Sequence, residues 1–512
     1  VFVGWTAVAA AAVKLPAVIG ENMVLQRDQP LPIWGWADKG EQVTVALAGQ
    51  SVTTKAGDDG RWSIAIAKLP AGGPLEMIVK GSSGTVITLK NILVGEVWLC
   101  SGQSNMELSV AECSNAPAEI AAADHPQIRL LTVPFRGTQE PQQDFEGRWD
   151  PCNPKTAKSF SAAAYYFGRK LQQTLGVPIG LIHCSWGASS CEAWIKRSTL
   201  EADPRYKPML RQWDEQMRKV DLQKARDGER VYVTWRTQVM EADAAGRQPP
   251  KAPENMGELF STMFLVRRRP ANCYNGMLLP LIPYAIRGAI WYQGETNADR
   301  AYQYRDLFPL MIRHWRDQWA QGDFPFYFVQ LANHMAVKDQ PGDSAWAELR
   351  EAQTMTLRTP NTGMAVTIDI GDALDIHPKN KQDLGDRLAR WALAKTYGED
   401  LVYSGPLYRS MEKSGKQIVL HFDHVGGGLV SRDAKSLTGF AIAGADKHFV
   451  WAEARIVGDT VVVRSSAVPD PMAVRYAWAD NPICNLYNRE DLPASPFRTD
   501  VWTGITEKTV SP

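Results

Sequence analysis

The sequence predicts an α/β fold with β regions at both ends, and three observations predict it. A chain of 512 residues, 45% of them hydrophobic, exceeds what one core absorbs, so two to four domains are expected. From Val94 to about Tyr397, apolar runs (VWLC, IGLIHCS, IRGAIWY) alternate with amphipathic helical sequence, which is the texture of a largely parallel sheet. On either side of this stretch the pattern is short β runs broken by Gly, Asp and Pro.

Taken in order, residues 1–15 are apolar, rich in alanine and end near an A-x-A-like site. They read as the remnant of a secretory signal, with export to the periplasm or the exterior as the expectation. Lys14 and Pro16 interrupt this run before the ~18 apolar residues of a membrane span accumulate. Residues 16–93 (QVTVAL, RWSIAIA, EMIVKG, TVITLKNIL) read as a β-sandwich domain. Residues 94–397 read as the α/β domain, interrupted at 201–270 by a charged and aromatic helical insertion. That insertion either covers a cleft or is a solvated amphipathic hairpin. The segment NKQDLGDRLARWALAKTYG reads as the last helix of the domain, with Asn380 as its N-cap. Residues 398–512 return to β texture, including the hairpin ARIVGDTVVVRSS with Gly458 and Asp459 at its turn.

Charge excludes some partners. Lys plus Arg and Asp plus Glu number 56 each, so no broad field draws nucleic acid or an anionic membrane surface. Eighteen tryptophans and fifteen tyrosines suit stacking on sugar rings, or simply the filling of a large core. The seven cysteines contain no C-x-x-C pair, which argues against a zinc ribbon or thioredoxin-like motif and leaves disulfide pairing open. No H-E-x-x-H, P-loop or G-x-G-x-x-G is present, and His421, Asp423 and His424 read as a loop rather than a metal site. Nothing in the sequence sets an oligomeric state.

Three strand ends run into polar, glycine-containing loops: VWLC into SGQSNMELSV, IGLIHCS into WGASSCEAWI, and IRGAIWY into QGETNADRAYQ. In open parallel sheets such loops converge outside the carboxyl ends of the strands, so they define one cleft. Ser104 sits directly after the first strand, at the start of a helix whose N-terminal N–H groups favour developing negative charge. Read locally, Ser104 and Glu107 equally satisfy an S-x-x-E capping box. Met106 replaces the second glycine of a G-x-S-x-G elbow, which argues against the α/β-hydrolase fold.

His377 lies far downstream, with Asp375 two residues before it and Asp372 in reserve five before it. This is the partner set a serine nucleophile needs for a base held in the right tautomer. Oxyanion donors are expected from the backbone N–H groups of Ser104 and Gly187 and from the side-chain amide of Gln293. Gly187 and Gln293 also have plainer readings, as a turn glycine and a helix cap. Glu295 and Asn297 can orient Gln293, and together with Gln103, Asn105 and Trp186 they are the candidates for substrate contact.

The segments V97-W-L-C-S-G-Q-S-N-M106, I290-W-Y-Q-G-E-T-N297 and D375-I-H-P-K-N-K381 resemble the motif blocks of the sialate O-acetylesterases and their relatives in the SGNH hydrolase superfamily. N272-C-Y-N-G-M-L-L-P-L281, A473-V-R-Y-A-W-A-D-N-P482 and P493-A-S-P-F-R-T-D500 extend the likeness over nearly the whole chain. The resemblance implies a flavodoxin-like, three-layer SGNH domain with accessory β-sandwich regions, no metal, no organic cofactor, and hydrolysis of acetate esters on sugars. By position, Ser104 matches the nucleophile, His377 the base, Gly187 the second-block glycine and the Gln293 loop the third-block donor. Two departures stand out: Leu374 occupies the first position of the D-x-x-H spacing, and the second block reads W-G-A-S instead of W-G-G-T.

The substrate expected on this reading is an acetylated plant cell-wall polysaccharide or oligosaccharide such as xyloglucan or xylan, or O-acetyl sialic acid. The alternatives are a carbohydrate-binding protein with an inactive hydrolase core, and a lipase or thioesterase on the same frame.

Overall fold

The computed structural model describes residues 13–244, 247–254, 257 and 264–509. The expected leader at 1–15 therefore falls almost wholly outside the described residues, and the insertion at 201–270 falls partly outside them.

Residues 24–102 carry β1 (Val24–Gln26), β2 (Leu31–Trp36), β3 (Gln42–Leu47), β4 (Gln50–Lys55), β5 (Arg61–Ile66), β6 (Gly72–Gly81) and β7 (Val86–Gly102). In β3 and β5 burial alternates strictly. Val43, Val45 and Leu47, and Trp62, Ile64 and Ile66, face inward, as a strand with one face on a core requires. β6 pairs antiparallel with β3 and with the first part of β7.

β7 then continues into the central sheet with β8 (His125–Thr132), β9 (Trp149–Cys152), β10 (Ile179–Ser185), β11 (Gly288–Tyr292), β12 (Phe326–Val329) and β13 (Thr362–Ala365). The order across it is β13-β12-β11-β7-β10-β8-β9. Every neighbour is parallel except the antiparallel edge strand β9. From Ile92 onward β7 is buried at every position, as are β10, β11 and β12. Burial on both faces explains why these strands read as continuous apolar runs instead of alternating.

The expected boundary between residues 93 and 94 thus falls inside one uninterrupted strand. A buried carboxylate rivets this seam. Glu96 on β7 accepts from Gln26 at 3.0 Å and from Arg287, just before β11, at 2.6 Å, and also pairs with Arg27.

Among the helices are α1 (Ser104–Glu107), α2 (Ala162–Leu175), α3 (Lys207–Met217), α4 (Leu222–Ala244), α5 (Ala301–Trp319), α6 (Ala345–Met355) and α7 (Lys381–Lys395); short helices at Ala116–Ala121, Pro154–Ala157 and Arg197–Glu201 and several single turns lie between them. α2 packs on α7, and α5 on α6. Asn380 caps α7 by accepting the Asp383 N–H at 3.1 Å. In the insertion, α3 buries Met209, Leu210, Trp213 and Met217 and leaves its opposite face exposed, as an amphipathic helix does.

The C-terminal strands are β14 (Leu407–Ser414), β15 (Gln417–Asp423), β16 (Leu429–Ser431), β17 (Phe440–Ala443), β18 (Val450–Trp451), β19 (Glu453–Val457), β20 (Thr460–Arg464), β21 (Ala473–Tyr476), β22 (Leu486–Asn488) and β23 (Phe497–Arg498). They form the antiparallel sheets β14-β15-β20-β19 and β18-β17-β21-β23 and the pair β16-β22. Gly458, at φ +58°, makes the turn between β19 and β20 together with Asp459. The C-terminal region is fastened to the central one by Arg350, fully buried, whose guanidinium donates to the carbonyls of Ala479 at 2.6 Å and Asp480 at 2.9 Å. The whole is a mixed α/β molecule with a central mixed sheet and additional β-sheet regions.

All seven cysteines are free, so the disulfide pairing left open by the sequence is not used. Among the described residues, no helix is long and apolar enough to cross a membrane.

Candidate active site

The register of the central sheet brings three loops to one place. Gly102 at the end of β7 pairs with Ser185 at the end of β10 and with Tyr292 at the end of β11, so the chain leaves three adjacent strands at one level. Gly102 itself has φ +144°, and a Cβ there would lie 2.1 Å from the Tyr292 carbonyl oxygen. Only glycine lets the turn lie against β11 this closely. Its carbonyl accepts the Trp186 N–H at 3.1 Å, and the Gln103 N–H donates to Tyr292 at 3.0 Å, so all three loops are locked from their first residue.

Ser104 is the first residue of α1, and Gln103, not Ser104, is the N-cap. The capping-box alternative therefore does not form. The Ser104 hydroxyl lies 2.9 Å from His377 Nε2, and the Glu107 carboxylate leaves its own helix to accept the Gly187 N–H at 2.6 Å. His377 Nδ1 lies 3.1 Å from Asp375 Oδ1, which also accepts the His377 backbone N–H at 2.9 Å. A carboxylate only accepts, so the proton sits on Nδ1 and the Nε2 lone pair faces the serine hydroxyl. Asp375 is further paired with Lys379 at 3.1 Å.

Asp372, the reserve acid, is placed elsewhere. Its Oδ1 accepts the N–H groups of Leu374 at 2.8 Å and Asp375 at 3.3 Å, so it shapes the turn that presents Asp375.

The electrostatics suit a base. Burial, helped by Lys381 and Lys379 and opposed by Asp375, holds His377 below its ordinary value of 6.5, so the ring is neutral at neutral pH. Burial alone would raise Asp375. The His377 N–H and Lys379 outweigh it and bring the carboxyl below 3.8, so it stays ionised beside the ring.

The expected oxyanion donors fare differently. Gly187 is next to the nucleophile, for a Cβ there would lie 3.3 Å from Ser104 Cβ and 3.0 Å from Glu107 Oε2, but its N–H is held by Glu107. Gln293 is fully buried. Its amide donates to Asn297 Oδ1 at 2.7 Å and to the Ser189 carbonyl at 3.3 Å, and its oxygen accepts the Tyr304 hydroxyl at 2.9 Å. This corrects the expectation of a free side-chain donor, because both amide hydrogens already have protein acceptors. The donors left open by helix geometry are the first-turn N–H groups of α1, at Ser104 and Asn105, which have no intrahelical acceptor.

Most of the candidates for substrate contact also turn inward. Asn297 donates to Glu192 at 3.0 Å, and Glu192 pairs with Arg300 at 2.7 Å with both side chains buried. Gln103 Oε1 accepts from Gly294 at 3.3 Å and Thr296 at 3.4 Å, and Asn105 donates to Glu295 at 2.6 Å. These side chains hold the loops to one another and have little left for a sugar. Trp186 is buried as well, but its ring borders an open cavity. It stacks on half-exposed Phe135 at 5.6 Å and 5°, and both line a cavity of about 520 Å³ with Arg136, Thr138, Glu140 and Val266. Glu192, Arg300 and Lys381 were not singled out by the sequence, and Glu107 was read only as a capping-box partner of Ser104. Lys381 stands in the quoted D-I-H-P-K-N-K block, but a lysine there carries no chemical signal until its burial is known.

The family model for "Carbohydrate esterase, sialic acid-specific acetylesterase" matches residues 94–226 and 261–394. The sialate O-acetylesterase of Mus musculus is 30% identical over 94% of this chain and 94% of its own length. The human sialate O-acetylesterase is 28% identical, with 94% and 92% covered. The crystal structure of a carbohydrate acetylesterase from Xanthomonas citri superposes with a TM-score of 0.81 at 39% identity, covering 96% of this chain and 100% of that one. A likeness that runs through both β regions and the central sheet, and includes the loops just described, makes this chain a member of the sialic acid-specific acetylesterase family of carbohydrate esterases and a carbohydrate O-acetylesterase.

Proposed function

We propose that the protein removes O-acetyl groups from a saccharide through an acetyl-serine intermediate, on a flavodoxin-like, three-layer frame of the SGNH type. The observation that carries this reading is the contact of Ser104 Oγ with His377 Nε2 at 2.9 Å, with Asp375 on the other ring nitrogen. His377 takes the Ser104 proton as the hydroxyl attacks the acetyl carbonyl. The same proton passes to the leaving sugar oxygen, and water then repeats the sequence on the acetyl-enzyme to release acetate. The oxyanion is met first by the N–H groups at the start of α1. The Gly187 N–H joins them when the Glu107 carboxylate turns away.

An intact Ser–His–Asp contact speaks against an inactive core. The polar lining of the cavity beside Trp186, with Arg136, Thr138 and Glu140, speaks against an acyl tunnel. Balanced charge favours a neutral acetylated saccharide such as xyloglucan or xylan. The exposed Arg136 in that cavity favours a second reading, an acid sugar such as O-acetyl sialic acid whose carboxylate would pair with it. Acetate release from acetylated xyloglucan, acetylated xylan and O-acetyl sialic acid, measured side by side, decides between them. No release from any of the three overturns the proposal.

A further inference from the structure

Beneath the serine and histidine lies a charged group that the mechanism does not use. Lys381, the first residue of α7, is completely buried. Its Nζ donates to Asn105 Oδ1 at 2.6 Å and lies 4.9 Å from the centre of the Tyr292 ring. The amide nitrogen of Asn105 donates to Glu295 Oε1 at 2.6 Å and to the Ile376 carbonyl at 3.0 Å. An ammonium only donates, while a carboxylate and a carbonyl only accept, so the orientation of this amide is fixed and both its N–H groups are used. Asn105 directly follows Ser104, Ile376 directly precedes His377, and Glu295 lies two residues after Gln293. One asparagine therefore ties together the loops after β7, β11 and β13.

We propose that Lys381, through Asn105 and with Glu295, is a positioning residue that holds the Ser104 turn against the His377 loop, so that its charge state sets the working geometry of the pair. The inference rests on the serine mechanism proposed above. Asn105 cannot move without pulling the nucleophile, and Ile376 cannot move without pulling the base. A displacement of about 1 Å at such a pair costs on the order of 100-fold in rate. The ammonium is what keeps Asn105 Oδ1 satisfied in a buried place, and a charge-assisted bond of this kind is about twice as strong as its neutral counterpart.

The surroundings make this charge titratable. Burial lowers Lys381 from 10.5 to about 8, with Lys379 acting the same way, while Cys113, Glu295 and Asp375 oppose it. Glu295 is raised above 4.5 by burial, and its Oε2 has no hydrogen-bond partner. Lys381 in turn is one of the charges that lower His377.

The test is the pH profile of kcat/KM on an aryl acetate for the full chain and its variants, with Ser104→Ala as the inactive control. For the parent chain the rate rises with pH as His377 loses its proton, below pH 6.5, and falls again near pH 8 as Lys381 loses its own. Lys381→Met lowers kcat by about 100-fold with KM little changed, moves the acidic limb to higher pH and removes the alkaline limb. Glu295→Gln takes away a charge that supports the ammonium, so the alkaline limb moves to lower pH. A Lys381→Met variant with unchanged kcat and an unchanged alkaline limb overturns the proposal, as does a Glu295→Gln profile whose alkaline limb stays in place. If Lys381→Met does not fold, the Glu295→Gln profile decides alone. An active parent chain with unmoved variants sinks this inference only, whereas a parent chain that releases no acetate sinks the serine mechanism and this inference with it.

Discussion

The loop after β11 carries Gln293, Glu295 and Asn297, and the loop after β13 carries Asp372, Asp375 and His377. Both leave parallel strands at the same edge of the same sheet, and both are dense in polar side chains. In the first, Gln293 and Asn297 are buried, their amides are spent on one another, on Ser189 and on Glu192, and Glu192 is closed off by Arg300. In the second, the side chains of His377 and Asp375 keep 31% and 37% of their surface exposed. A buried, fully partnered amide has no hydrogen left to offer and is costly to disturb, while a half-exposed histidine can pass a proton to whatever enters. Polar residues at a strand end mark a site region, and burial divides those that build it from those that react.

The sharpest way to break this division is Ser104→Ala. Aryl acetate turnover should fall on the order of 10⁴-fold with the thermal unfolding midpoint unchanged, and substantial residual turnover would remove the nucleophile from the open side. Next in size, Arg300→Met leaves Glu192 buried and unpaired. It should cost about 3–5 kcal/mol in denaturant unfolding, and an unchanged midpoint would show the first loop to be less of a scaffold than its burial implies.

Asp375→Ala should lower kcat about 100-fold through loss of the ring orientation, less than for a fully buried triad acid because Asp375 is partly solvated. Asp372→Ala, which loosens only the turn, should cost less than about tenfold, and the reverse order would reassign the acid. Gln293→Ala should lower stability by about 1–3 kcal/mol by taking the acceptor from the buried Tyr304 hydroxyl and one of two donors from Asn297 Oδ1. If it keeps full stability and loses activity instead, the amide belongs to the reacting side after all. The smallest effect is one of pH: the rate should hold as pH falls past 6.5 and drop only below it, because the base must stay neutral and burial depresses its pKa. An acidic limb at or above 6.5 would contradict the burial of His377.

Much of this was legible in the sequence, for identifiable reasons. VWLC, IGLIHCS and IRGAIWY read as strands because burial on both faces demands unbroken apolar runs, and the glycine-bearing loops after them followed from the rule for parallel sheets. Ser104 was ambiguous because S-x-x-E is a local pattern that does not say where the two side chains go. Gln103 took the cap, and Glu107 reached Gly187, eighty positions away in the chain. Gln293 was misjudged because an amide after a strand looks the same whether or not Asn297 and Tyr304 have claimed it. Lys381 carried no signal of its own, since only the fold brings it to Asn105. The boundary near residue 93 was placed where short β runs give way to strands alternating with helices, which is where β7 passes from a half-covered sheet to a fully covered one without ending.

That unbroken strand has a mechanical consequence. β7 spans at most roughly 55 Å at 17 residues, and it ends two residues before the nucleophile. With Glu96 bolting it to Arg27 and Arg287 midway, the N-terminal region cannot swing about a flexible linker. Whatever that region touches is kept at a constant offset from Ser104, so it acts on the nucleophile as a ruler acts, and not as a tether.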